Sequence, residues 1–289
     1  MSSESNHAQP ASVDDNRDGY FWICATCAVE HANRDDVCAI CDDERQWVPR
    51  DGQHWTTLGE LEASGREVRI REFEPDLFGI TTDPGVGIGQ TCKLVRTDAG
   101  AVLWDPIGYL DDDAVARVRA LGEVVAIAAS HPHMYGVQVE WSRRLAGVPV
   151  FVAEADADWV ARPDAAIRTW SGEQELLPGV RLVQTGGHFP GSSVLHWAQG
   201  ASGRGVLLSS DSLFANPDRT SVSFMRSFPN HLPLSGAVAQ RVADRVAPLE
   251  FDRLYGNFDL VVDADARDIV RRSAARHAAW ARGDFDHLT

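Results

Sequence analysis

The sequence predicts an α+β protein in which sheets are covered by helices, preceded by a small ribbon folded around a metal ion. Three observations predict it. Strand-like and helix-like runs share residues 67–283, the early strands grouped in hairpins and the later ones alternating with helices. Four of the five cysteines fall within 18 residues as two C-x-x-C pairs. Two histidines, a third histidine and an aspartate each follow a predicted strand, where side chains distant in sequence can converge.

In chain order, residues 1–19 are polar and acidic, lack the basic start and apolar stretch of a secretion signal, and are expected to be a disordered tail. Residues 20–46 form the cysteine module. Cys24 and Cys27 lie on one turn and Cys38 and Cys41 on another, and four thiolates in a tetrahedron suit Zn²⁺ or a single iron. So short a segment cannot bury a useful core, so the metal must supply most of its folding energy. Residues 47–66 are expected to be a linker with one amphipathic turn. The main domain, 67–283, carries predicted strands at 67–73, 91–97, 101–107, 123–129, 148–154, 180–185, 192–198, 205–210 and 251–256. Its predicted helices are 111–121, 135–146, 156–162, 235–249 and 264–282. The long segment 213–234 reads as a lid, a cavity wall or a packed surface excursion.

Composition narrows the function. A net charge of −15 repels phosphate backbones, which makes nucleic acid a poor partner. The arginines near 241–245 and 267–282 are expected to lie away from the ligand-bearing strand ends, and the single lysine, Lys93, reads as compositional bias. No run of 18 apolar residues is present, so no membrane span is expected. Paired C-x-x-C spacing without a signal segment points to a reducing, cytoplasmic location.

The second candidate metal site comes from strand ends. The run 123–129 leads into Ser130-His131-Pro132-His133, 180–185 into Gly186-Gly187-His188, and 205–210 into Asp211. His131 and His133, two residues apart with a stiff proline between them, project to one side of an extended segment. Imidazoles plus a carboxylate suit zinc, iron or manganese. His54, His277 and His287 carry no such context, and His196 alternates within a strand as a structural residue.

Residues of about 67–260 resemble the metallo-β-lactamase fold superfamily, with landmarks in that family's order. Leu103-Trp104-Asp105 resembles its early strand ending in aspartate, and Ser130 to Gly136 sits at its H-x-H-x-D-H motif. Gly187-His188-Phe189-Pro190-Gly191-Ser192 resembles its G-H-T-x-G-S segment, and Ser210-Asp211-Ser212-Leu213 its G-D-x-L segment. The resemblance implies an αβ/βα sandwich. Tyr135-Gly136 replaces the Asp-His half of the first motif, and Asn257 stands where the last histidine is expected. These positions normally build the second metal site, so one ion is implied, held by His131, His133, His188 and Asp211. Trp22, the cysteines and their spacing resemble zinc ribbons of the Ran-binding-protein type, although His31 occupies that family's asparagine position. The absence of rubredoxin's Pro-Gly knuckles favours zinc there.

The resemblance implies a metal-dependent hydrolase of a small ester, thioester or lactone, using hydroxide on one zinc (alternatively Fe²⁺), with Asp211, Tyr135 and Asn257 as catalytic candidates. Tyr135 either stabilises a developing oxyanion or packs at a helix start. Asn257 either contacts substrate or caps a turn. One alternative is a non-haem iron dioxygenase acting on a thiol or persulfide through His131, His188 and Asp211. Another is a catalytically weak binding protein whose cysteine module docks a protein partner.

Overall fold

The computed structural model describes residues 20–289, and the expected tail, residues 1–19, lies outside the described residues. The cysteine segment folds as β1 (Trp22–Cys24), β2 (Glu30–His31) and the single-turn α1 (Ala39–Asp42). Residues 47–66, expected as a linker, contain β3 (Trp55–Thr56) and α2 (Leu58–Ala63). β3 pairs with the free edge of β1, setting Cys24 opposite Trp55, so the module's sheet runs β2-β1-β3. A two-residue strand is too short to show a period, which hides it in the sequence. Thr57 and Glu60 form a capping box that starts α2.

The main body is two sheets face to face. The first has the order β10-β9-β8-β7-β6-β5-β4. It begins as an antiparallel meander of β4 (Glu67–Glu74), β5 (Leu77–Asp83), β6 (Cys92–Thr97) and β7 (Gly100–Trp104). It continues in parallel through α3 (Asp112–Leu121), β8 (Val124–Ala128), α4 (Gln138–Arg144), β9 (Val150–Ala153) and β10 (Ile167–Trp170). The second sheet contains β11 (Glu173–Leu177), β12 (Val180–Gln184), β13 (Ser193–Trp197) and, after the short α5 (Gly200–Gly203), β14 (Val206–Leu208). Two hairpins follow, β15 (Phe214–Ala215) with β16 (Val222–Ser223) and β17 (Met225–Ser227) with β18 (Leu232–Pro233). Then come α6 (Gly236–Val246), β19 (Arg253–Tyr255), β20 (Val261–Val262) and α7 (Ala266–Ala281). β5, β10, β11, β15 to β18 and β20 are strands beyond those the pattern predicts. The expected helix at 156–162 is a 3₁₀ segment, Glu154–Trp159.

Strand alternation divides the apolar residues among three layers. Val102 and Trp104 of β7 face Leu195 and Leu208 of the second sheet in the central core. Leu103 faces outward to Val118 and Trp141 of α3 and α4. On the far side, Val194 and Leu207 pack under Val242 of α6 and Val270 of α7. This is the expected αβ/βα sandwich.

The cysteine module is part of that body. Phe21, Ile23, Val29 and Ile40 belong to the same apolar cluster as Leu94, Leu103 and Trp141. Glu30 accepts hydrogen bonds from the Val139 amide and the Arg162 guanidinium, both at 2.5 Å, and Arg162 stacks 3.9 Å over Phe21. Ala28 presses on Gly87 and Gly108, where an added Cβ would stand 2.5 and 2.3 Å from it.

Candidate metal centre and its cavity

The four cysteines are buried and free of disulfides. Cys24 Sγ lies 3.6 Å from Cys41 Sγ, and Cys27 Sγ 3.8 Å from Cys38 Sγ. A disulfide requires about 2.05 Å. A tetrahedron of thiolates around zinc, with bonds of about 2.3 Å, has edges of about 3.8 Å. The sulfur–sulfur separations are those of a metal cage. Gln53, from the segment expected as linker, braces it: Nε2 donates to Cys24 Sγ at 3.2 Å and Oε1 accepts from the Cys38 amide at 3.1 Å. His31 Nε2 stands 3.4 Å from Cys38 Sγ.

The second cluster assembles at strand ends. β8, β12 and β14 stop just before His131, His188 and Asp211, and a 3₁₀ turn, Pro132–Met134, follows His131 and carries His133. The chain must then turn sharply at Gly136, which has φ +50° and where a Cβ would lie 2.1 Å from the Pro106 carbonyl. One ligand atom from each of His131, His133, His188 and Asp211 falls within 4.8 Å of the others, and all four residues are buried. His188 Nε2 is 3.3 Å from His133 Nδ1 and 3.8 Å from Asp211 Oδ2, while His131 Nε2 is 3.5 Å from Asp211 Oδ2. A tetrahedron with bonds of about 2.1 Å has edges of about 3.4 Å.

Hydrogen bonds outside the cluster set the tautomers. His188 Nδ1 donates to the Met225 carbonyl at 3.0 Å, which leaves Nε2 with its lone pair inward. Ser130 Oγ donates to Ser210 Oγ at 2.7 Å, so His131 Nδ1 donates to Ser130 Oγ at 2.8 Å and Nε2 again faces inward. Burial, reinforced by the other histidines, holds His133 well below the ordinary imidazole range and His188 down at about 4. Burial pushes Asp211 up, but His131 and His188 outweigh it and hold its carboxyl below the usual value. Neutral imidazoles and a carboxylate are the metal-binding forms. His131 Nε2, His133 Nε2 and Asp211 Oδ1 are buried without a hydrogen-bond partner among the described residues. Leaving such atoms unpaired costs roughly 1–3 kcal/mol each, and a cation among the ligands relieves that cost for His131 Nε2, which faces Asp211 Oδ2 across the cluster at 3.5 Å. The residues fit a metal ion.

Two expected catalytic residues do something else. Asn257 donates to Asp105 Oδ2 at 2.7 Å and to Ser210 Oγ at 2.9 Å. Asp105 Oδ1 in turn accepts from the Ser130 amide at 2.6 Å. Asn257 Nδ2 is thus committed to bracing Asp105 and Ser210, the residues that hold Ser130 beside His131. Tyr135 is buried, and its hydroxyl donates to the Asp156 carbonyl at 3.1 Å, so it does not present an oxyanion donor. His196 and His277 bond the Glu250 and Leu234 carbonyls, in keeping with structural roles.

His133, His188 and Asp211 form the floor of a cavity of about 510 Å³. Phe214 and Phe228, from segment 213–234, wall one side, with Phe258 and Ile88 nearby. The other wall is the cysteine module and the chain just after it: Ala25, Thr26, Arg45, Gln46, Trp47 and Pro49. Arg45 is the functional residue that sequence reasoning misses. Its Nε donates to the His188 carbonyl at 2.8 Å, its guanidinium lies 4.0 Å over the Phe189 ring, and Asp43 holds its Nη1 at 2.7 Å. Ser227 donates to the Arg45 carbonyl at 3.0 Å and Asn230 to the Glu44 carbonyl at 2.9 Å, locking this strap to the β17–β18 hairpin. No local pattern marks Arg45, because its role exists only once the module has docked. Arg241 and Arg245, expected away from the ligand-bearing ends, line a second cavity against Gly186 and Gly187.

No family model matches the chain. It is 42% identical over 272 residues to the uncharacterised protein YmaE of Bacillus subtilis strain 168, covering 92% of this chain and 99% of that one. Among solved structures, the DIM-1 metallo-β-lactamase superposes with a TM-score of 0.55 at 14% identity, over 73% of this chain and 97% of that one. The FIM-1 metallo-β-lactamase of Pseudomonas aeruginosa, in its mono-zinc form, gives 0.53 at 13% identity, over 73% and 96%. At these identities the likeness to the lactamases is one of fold: the main body is a metallo-β-lactamase-type sandwich.

Proposed function

The chain belongs to the family of YmaE and is built on the metallo-β-lactamase fold, and from that premise we propose that it is a metal-dependent hydrolase of a small ester, thioester or lactone. Four convergent ligand atoms at the floor of a largely apolar cavity carry the reading. His131, His133, His188 and Asp211 would hold one zinc ion, and the four cysteines a second, structural one. When bound, the ion at the histidines supplies a Lewis acid and lowers the pKa of a coordinated water.

The chain's own residues do the rest. Trp47, Phe214, Phe228 and Phe258 take up the apolar part of the substrate and exclude bulk water. Asp211 has Oδ2 toward His131 and His188, which leaves Oδ1 to accept the proton that the attacking water gives up. Arg45, its charge partly offset by Asp43, lines the cavity wall and would offer its remaining donors to the acyl oxygen as negative charge develops there. The dioxygenase alternative needs two histidines and a carboxylate with open positions. His133 Nδ1 at 3.3 Å from His188 Nε2 adds a third imidazole and favours the hydrolytic reading.

The test is metal analysis of natively purified protein together with an ester, thioester and lactone panel. Two zinc ions per chain and turnover abolished by His133→Ala are expected. Iron at the histidine site with oxygen uptake on a thiol or persulfide would replace this reading with the oxidative one. Zinc without turnover on any member of the panel would leave a binding protein.

A further inference from the structure

We propose that the second cavity, on the far side of the His188 loop from the metal centre, binds a compact dianionic oxyanion: a phosphate group or a small dicarboxylate. The cavity holds about 600 Å³, and four arginines line it, Arg45, Arg226, Arg241 and Arg245, with no carboxylate in the lining. That concentration of positive charge is out of keeping with a chain of net charge −15.

Three of the four are partly committed. Arg45 bonds the His188 carbonyl and Asp43, and Arg226 pairs with Glu44. Arg245 donates to the Gln184 carbonyl at 3.0 Å, with Glu173 at 3.8 Å. Arg241 has no ion-pair or hydrogen-bond partner among the described residues. The acids therefore offset three charges from outside the cavity, and one guanidinium remains over. Each guanidinium also keeps donors beyond its present bonds, in the planar fork that matches phosphate and carboxylate oxygens. One small dianion satisfies the unpaired arginine and the spare donors of its neighbours. A polyanion is the poorer occupant, because the chain's net charge of −15 repels it. No metal ligand lines this cavity and Arg45 is the one lining residue it shares with the metal-centre cavity, so the inference, carried by Arg241, does not depend on the hydrolase reading.

The experiment is a calorimetric titration of the full-length, metal-loaded protein with inorganic phosphate, and separately with succinate, in low-salt buffer free of other oxyanions. One saturable site per chain is expected. Arg241→Glu should weaken it at least tenfold, while Arg276→Glu, the same charge change on exposed α7, should leave it within twofold. In cobalt-loaded protein the visible bands of the histidine site should hold their positions as phosphate saturates. Whichever probe binds tighter identifies the oxyanion. No saturable binding, binding that survives Arg241→Glu unchanged, or cobalt bands that shift in step with saturation would each overturn the proposal, the last by placing phosphate on the metal.

Discussion

The two ligand clusters of this protein differ in how far apart in sequence their parts are and in what surrounds them. The cysteine cluster draws on 18 residues, is closed by four buried thiols, and none of those thiols lines the cavity above the histidines. The histidine–aspartate cluster draws on residues 131 to 211, sits at strand ends and opens onto that cavity. A closed cage of four ligands is the mark of a structural site, and a site facing a cavity that of a catalytic one. The difference is one of roles within a single site, because the closed cluster's own neighbours, Ala25, Thr26 and Arg45, wall the open one. Folding energy that a metal would release at the cysteines would reach the histidines as geometry, through the wall the two clusters share.

The largest expected effect separates this view from that of an autonomous docking module. In Cys27→Ala/Cys38→Ala the protein should lose one metal ion of two and keep the histidine-bound one, yet turnover should fall by about a hundredfold, the scale of a misplacement of about 1 Å. Zinc content and the substrate panel read it out. A variant that lacks the structural ion but turns over normally would show that the module is a bystander.

How much was legible follows the same division. The cysteine cage was readable because its spacing is local. The histidine–aspartate set was readable because its ligands lie in the turns that follow β8, β12 and β14, so the topology brings them together. What was hidden depends on docking or on elements too short to have a period. β3 and Gln53 complete the cage from a segment that looks like a linker. Arg45 lies in an acidic run that gives no hint of the His188 carbonyl. Lys93, which reads as compositional bias, is buried between the sheets, donating to the Thr91 carbonyl at 3.2 Å and the Gly256 carbonyl at 3.0 Å. Burial lowers it to about 8. Asn257 and Tyr135 occupy positions that family likeness made suggestive, and their hydrogen bonds assign them to bracing and packing.

A smaller effect sharpens the link between the clusters. Arg45→Met keeps an unbranched stem over Phe189 but removes the charge and the donor to the His188 carbonyl. Partners that orient a ligand typically contribute 10–100-fold in metal affinity. Zinc affinity at the histidine site, measured by chelator competition, should weaken by about that factor while the cysteine site holds its ion unchanged. Arg45→Lys should recover only part of the loss, because an ammonium restores the charge without the fixed fork. Equal weakening at both sites would mean that Arg45 supports the module as a whole rather than His188 in particular.

The smallest effect belongs to Tyr135, and it tests whether a site position is functional because of its place in a motif or because of its contacts. The Tyr135 ring is buried and its hydroxyl is spent on the Asp156 carbonyl, away from the cavity. Burial holds its phenol well above the ordinary range, so it stays neutral at working pH. Tyr135→Phe keeps the ring and deletes one buried hydrogen bond, which leaves one carbonyl oxygen short of a donor. The expected cost is about 1 kcal/mol of stability, seen as a lower denaturation midpoint with an unchanged slope. Both metal ions and the turnover number should stay as in the parent. A fall in turnover of tenfold or more with the metals in place would return Tyr135 to the catalytic machinery and require its hydroxyl to leave Asp156 when substrate binds.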